Sequence, residues 1–159
     1  MFRILIRLVI GFSIMMSDLE ELYQAIILDH NKRPRHCGVL AEATHQAEAL
    51  NPTCGDRVQV FLKLDGDRVE SAQFVAASCA ICQASASMMC VAITGKRVDE
   101  AAVVFRGVRE LLDGEADTVS GGEGELCALA GVRKFPARLK CAWLPWQAAK
   151  QAYAALEKP

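Results

Sequence analysis

The chain predicts an α+β domain: a small three-stranded antiparallel sheet with helices packed on one face. Three observations lead there. Two runs with partial apolar alternation, Val58 to Leu64 and Arg68 to Val75, flank the compact turn Asp65-Gly66-Asp67 and form a hairpin. A further strand, Ala43 to Leu50, precedes them and ends at the turn Asn51-Pro52-Thr53. The remaining apolar periodicity is helical and does not alternate with the strands, which argues against a parallel sheet with crossover helices. The 159 residues suit one domain, and 52% hydrophobic with 23% charged residues is enough for a real core.

Taken in order, Ser17 or Asp18 caps a first helix with Leu19, Leu22, Tyr23, Ile26 and Ile27 as its apolar stripe, running to about His30. N-K-R-P-R-H-C-G then stops it through Pro34 and Gly38. After the strands, a helix rich in small residues begins near Ser78 and closes at Gly95. Val98 to Leu112 reads as helix in two pieces around Gly107, followed by an acidic loop through Glu125. L-C-A-L-A-G-V is a short helix, F-P-A-R-L an extended approach, and Cys141 to Leu156 a final helix with Pro145 in or near its first turn.

The first fifteen residues are apolar with two arginines, but the run is too short for a membrane span and Arg7 interrupts it. No A-x-A-like site precedes S-D-L-E-E-L, which argues against a signal peptide. Met15 or Met16 reads as the natural start. Residues 1–15 are then a non-native or disordered extension, and 16–159 a single domain.

A formal net charge of −1, with no long basic run, gives no footprint for nucleic acid. Seven cysteines are an odd count in a chain with ample core, so a disulfide framework is not indicated; a reducing cytoplasmic setting with free thiols fits.

Cys54 in N-P-T-C-G-D, Cys79 in S-C-A-I-C and Cys141 in L-K-C-A-W each sit beside a turn or helix start, and Asp56 lies two residues from the first. A fold that gathers them makes a three-thiolate, one-carboxylate cage suited to zinc or an iron–sulfur fragment. The wide spacing is unlike a zinc finger, and the carboxylate is a harder ligand that exchanges more readily. Cys79 at a helix N-terminus favours a thiolate, as do Arg138 and Lys140 beside Cys141, which also suit an anionic sulfur species or an acidic partner surface. The plain alternatives are buried apolar cysteines, a turn-forming aspartate and solvated cations. Cys79 and Cys82 form C-A-I-C, yet the hairpin before them is not the parallel setting of a dithiol redox motif. Cys82, Cys90, Cys127, Met88 and Met89 read as core, Cys37 as a loop thiol, and His30 and His36 as surface polar groups.

Together L-Y-Q-A-I-I-L-D-H-N-K-R-P-R, N-P-T-C-G-D, C-A-I-C-Q-A-S-A-S-M-M and K-F-P-A-R-L-K-C-A-W-L-P-W resemble the iron–sulfur cluster assembly family of the IscU proteins and the NifU amino-terminal domain. The resemblance runs from about Leu22 to Leu156. An extra segment around 107–131, and Lys140 where IscU-type members carry histidine, are similar to the SufU branch. Ala76-Ala77-Ser78 and Cys82 depart from the usual glycines and serine around the second cysteine.

The resemblance implies a SufE/NifU-like fold and a zinc site of Cys54, Asp56, Cys79 and Cys141. It implies a pyridoxal-phosphate cysteine desulfurase (SufS-like) as partner, with Cys54 as sulfur acceptor and Arg138 helping to dock that enzyme beside Lys140. The expected activity is zinc-dependent sulfur transfer towards downstream Suf-type scaffolds or apo-proteins, with no nucleic acid or membrane partner. The rival is a scaffold carrying a transient [2Fe–2S] cluster, which Lys140 weakens by removing an imidazole. A purely structural zinc domain is a third reading.

Overall fold

The structure is a computed structural model that describes residues 18–122 and 124–154. The expectations for residues 1–15, the Ser17 cap and the helix end at Leu156 lie outside those residues.

Strands β1 (His45–Asn51), β2 (Asp56–Asp65) and β3 (Arg68–Ala77) form one antiparallel sheet in the order β1-β2-β3. Alternation aims Val58, Val60 and Leu62 of β2 at the core, with Ala72 and Phe74 beside them on β3. The register shifts between Lys63 and Leu64, and beyond it Val69 rather than Glu70 is buried. That irregularity moves the alternation by one residue, as a bulge does. Gly66 at φ 59° allows the tight hairpin turn. The far edge of β3 is covered by the loop after the first helix, where Gly38 N–H donates to Phe74 O at 2.8 Å and Phe74 N–H donates to His36 O at 3.0 Å. An otherwise open strand edge is thereby closed.

Helix α1 spans residues 18–32, two residues beyond the expected end, and packs Tyr23, Ile26 and Ile27 on the core. Helix α2 (Ala80–Ile93) is buried on nearly every side, and Ala84, Ser85, Ala86 and Ser87 let its neighbours approach closely. His30, expected at the surface, is only 2% exposed. Its Nδ1 lies 2.8 Å from Ser87 Oγ and its Nε2 2.9 Å from Glu125 Oε2. Ser87 Oγ also accepts the Arg35 backbone N–H at 2.8 Å. A buried polar group without such partners would cost about 1–3 kcal/mol. The correction was visible in the spacing: Tyr23, Ile27 and His30 continue one helical stripe.

Helix α3 (Val98–Leu112) is continuous, not split at Gly107. The glycine instead makes room for a neighbour, since a Cβ there would lie 2.9 Å from Val119 Cγ1 and 3.1 Å from the Ser120 backbone nitrogen. Loop 113–122 thus packs directly on the helix. The short helix expected next is a longer 3-10 segment, Gly124–Lys134. The extended approach is corrected to a 3-10 turn, Pro136–Arg138, running straight into α4 (Leu139–Ala154).

Helix α4 lies across β1 and β2 and against α2, with Trp146 wholly buried. Pro145 is its seventh residue, deeper than the first turn expected. Proline has no N–H for the carbonyl four residues back, here Cys141, and its ring crowds that turn. One residue on, Ser85 Oγ donates to Ala142 O at 2.6 Å while accepting Trp146 Nε1–H at 3.0 Å. The hydroxyl supports the helix where proline weakens it, and the open turn begins at a site cysteine.

Candidate metal centre

The β1–β2 connection carries the first cysteine. Asn51 Oδ1 accepts the Thr53 N–H at 3.2 Å and Asn51 O accepts the Gly55 N–H at 2.8 Å. Gly55 takes φ 75°, left-handed backbone that side chains disfavour, and the chain returns to pair Asp56 with Asn51. Cys54 therefore stands exposed at the turn while Asp56, 4% exposed, points inward.

Cys79 follows β3 and occupies the N-cap of α2, as expected. Its own side chain makes no cap bond; Asp56 holds the junction by accepting the Cys79 N–H on Oδ1 at 2.9 Å. The Cys79 thiol lies 3.4 Å from Asp56 Oδ2. Cys141, in the first turn of α4, is 1% exposed, and its Sγ is 3.5 Å from Cys54 Sγ. Ligand atoms of Cys54, Asp56 and Cys141 all lie within 4.8 Å of one another. Cys79 joins the cluster through the shared carboxylate. Three of the four residues singled out as ligands thus bring ligand atoms together at one end of the sheet, and the fourth, Cys79, stands beside them against Asp56.

Asp56 and the thiols shift one another's protonation. Burial tends to raise the Asp56 pKa, but hydrogen bonds from the Cys141 and Cys54 thiols and the Cys79 N–H outweigh it and hold the carboxyl below its ordinary range. Burial pushes the Cys141 thiol well up, and the Asp56 carboxylate and Cys54 push it further. A bound cation reverses that preference, because it favours the thiolate outright. Arg138 is exposed, and the Cys141 sulfur beside it, followed by the Cys79 charge, raises the guanidinium pKa. Lys140 points elsewhere: it lines a hollow of about 490 Å³ with Pro52, Thr53 and Trp143. The two cations expected to act together thus have different neighbours, Arg138 the sulfurs and Lys140 the hollow.

Cys82 is fully buried, and burial pushes its thiol up to about 12. It is a core thiol beside the site, as is Cys90 deeper in the same helix. Cys127 is partly exposed rather than core, and Cys37 is exposed in its loop. Asn51, expected as part of the turn that ends β1, also shapes the site through its side chain, which accepts the Thr53 N–H.

An α+β frame that gathers thiol and carboxylate groups from remote loops into one place able to hold a metal ion differs from the paired-ligand arrangement of zinc fingers. The NifU-like N terminal domain model matches residues 22–153, and the chain belongs to that family. It is 44% identical over 138 residues, 87% of this chain and 93% of the other, to the zinc-dependent sulfurtransferase SufU of Bacillus subtilis (strain 168). It is 40% identical to the iron-sulfur cluster assembly scaffold protein IscU of Streptococcus pyogenes serotype M1, covering 86% of each. The crystal structure of a nitrogen-fixing NifU-like protein (N-terminal) from Brucella abortus superposes with a TM-score of 0.73 at 25% identity, covering 83% of this chain and 92% of that one.

Proposed function

We propose that this protein serves iron–sulfur cluster assembly by binding zinc through Cys54, Asp56, Cys79 and Cys141 and accepting sulfur on Cys54 from a pyridoxal-phosphate cysteine desulfurase. One observation carries the reading: Cys54 is the most exposed cysteine of the cluster, with Cys79 half-buried, and its sulfur lies 3.5 Å from that of the buried Cys141. Two thiolates sharing a tetrahedral zinc at about 2.3 Å have sulfurs about 3.8 Å apart, so the donor pair fits the ion. Zinc supplies charge that keeps the sulfurs as thiolates at neutral pH and links the loops.

The chain's own residues do the rest. Gly55 and Asn51 hold Cys54 at the apex of its turn, open to a partner's active site. Arg138, beside the sulfurs, attracts the anionic donor. The Cys54 thiolate attacks the outer sulfur of the desulfurase persulfide; a new sulfur–sulfur bond forms on Cys54 as the enzyme's bond breaks and its cysteine leaves as thiolate. Asp56 and Cys79 remain hydrogen-bonded through the helix cap and keep the site in register. Segment 107–131 belongs to this reading as the branch's extra piece, fastened through Glu125 to His30.

The test combines metal analysis with a cysteine desulfurase assay. About one equivalent of zinc, and stimulation that disappears in Cys54→Ser, is the expected result. Full stimulation by that variant would exclude the acceptor role, and iron- and sulfide-loaded coloured protein would favour scaffolding, the role in the name of the Streptococcus pyogenes relative.

A further inference from the structure

Helices α3 and α4 meet only lightly, and a hollow of about 680 Å³ opens between them. Along α4 its wall is Trp143, Gln147, Lys150 and Ala154, residues at helical spacing on one stripe. The facing wall of α3 presents Phe105, Arg106 and Arg109. The hollow does not end there. Arg109, Trp143 and Gln147 also line the second hollow, which continues past Lys140 to Pro52 and Thr53, immediately before Cys54.

The groove has consistent chemistry along its length. Its floor is aromatic, with Arg109 stacked over Trp143 at 5.1 Å from the ring centroid. Its rim carries Arg106, Arg109, Lys140 and Lys150, against one carboxylate, Asp113, which pairs with Arg109 at 3.1 Å. Among the described residues, Arg106, Lys140 and Lys150 have no carboxylate within ion-pair distance. Nearly neutral overall, the chain concentrates unpaired positive charge here. Arg138 stands at the sulfurs and is not among the residues that line the groove.

We propose that this groove is the docking surface for an acidic peptide segment, with aromatic or aliphatic anchors, belonging to the protein that collects sulfur from Cys54. The charge selects an acidic partner, and the aromatic floor selects one with apolar side chains. The linked length exceeds what a single small anion fills, and its end at Thr53 brings the bound segment to the Cys54 turn. The donor then approaches over Arg138 and the recipient along Lys140. The inference rests on the sulfur-acceptor reading for the partner's role, while the groove's ligand chemistry is tested separately.

The test uses the full chain and a fluorescein-labelled dodecapeptide of repeated Glu-Glu-Trp, read by fluorescence anisotropy. A Lys-Lys-Trp peptide and adenosine triphosphate serve as comparisons. The Glu-Glu-Trp peptide is expected to bind, to weaken with added salt, and to lose about tenfold in affinity on the double change Arg106→Glu, Lys150→Glu. Both side chains are exposed and away from the sulfurs, so zinc content and desulfurase stimulation stay at wild-type levels. Equal binding by wild type and variant overturns the proposal, as does no binding at all, including the case where the chain's own terminal residues fill the groove. Adenosine triphosphate binding that falls equally in the variant, without peptide binding, overturns it in favour of a small-anion site. Loss of zinc or of stimulation in wild type would instead strike the acceptor reading and leave the peptide result standing.

Discussion

Tyr153 illustrates how a single atom sets a local energy. Its ring packs edge-on to Phe105 at 5.5 Å, yet its hydroxyl is buried with no hydrogen-bond partner among the described residues. A buried hydroxyl left unpaired costs about 1–3 kcal/mol, so Tyr153→Phe is expected to stabilise the fold by about 1 kcal/mol, read as a higher thermal midpoint. A fall in the midpoint would show that the hydroxyl is satisfied. Gly107 makes the opposite case, for its missing side chain is what Val119 packs against. Gly107→Ala raises helix propensity but forces the loop away, and a net loss of about 1–3 kcal/mol in denaturant unfolding is expected. Were the variant more stable, Val119 must be free to yield. Read from sequence, that glycine signals a break; only its neighbour explains it.

At the scale of elements, one buried side chain joins three of them. His30 of α1 reaches Ser87 of α2 and Glu125 of the 3-10 segment, and Ser87 in turn holds the Arg35 backbone. His30→Ala removes both bonds and leaves a cavity, for which about 3 kcal/mol of destabilisation is expected. Hydrogen exchange should then speed up first in α1 and in residues 124–134, while α2 against the sheet stays protected. Uniform loss of protection would contradict this division. Sequence periodicity located all four helices, because each has an apolar stripe or run long enough to register. It misjudged the approach to α4, where Pro136 permits a 3-10 turn as readily as extended chain and the choice falls to packing.

For the molecule as a whole, acid stability follows from ion pairs at the end of α1. Hydrogen bonds from Arg35 and then Arg33 lower the Asp29 pKa from 3.8 to about 2. A carboxyl whose folded pKa is depressed contributes stability that is complete above its unfolded value and lost as pH falls through the folded one. Unfolding midpoints should therefore decline between about pH 4 and pH 2, and Asp29→Asn should flatten part of that decline. The group is partly exposed, so the effect should also shrink in high salt. An identical pH profile for the variant would remove Asp29 from the account.

The sequence by itself determined the α+β class, the hairpin, the four helices and the three cysteine motifs, since alternation, helical spacing and turn residues are local properties of the chain. It also identified Cys54, Asp56, Cys79 and Cys141 as one candidate set. Their meeting within a few ångströms was decided by tertiary structure, because strand register and the packing of α4 across the sheet bring residues 54 and 141 together. The same packing separated Arg138 from Lys140 and buried His30. Two residues apart in sequence, those cations share a helix entrance but face different surroundings, and orientation around a helix axis acquires meaning only when the rest of the molecule is in place.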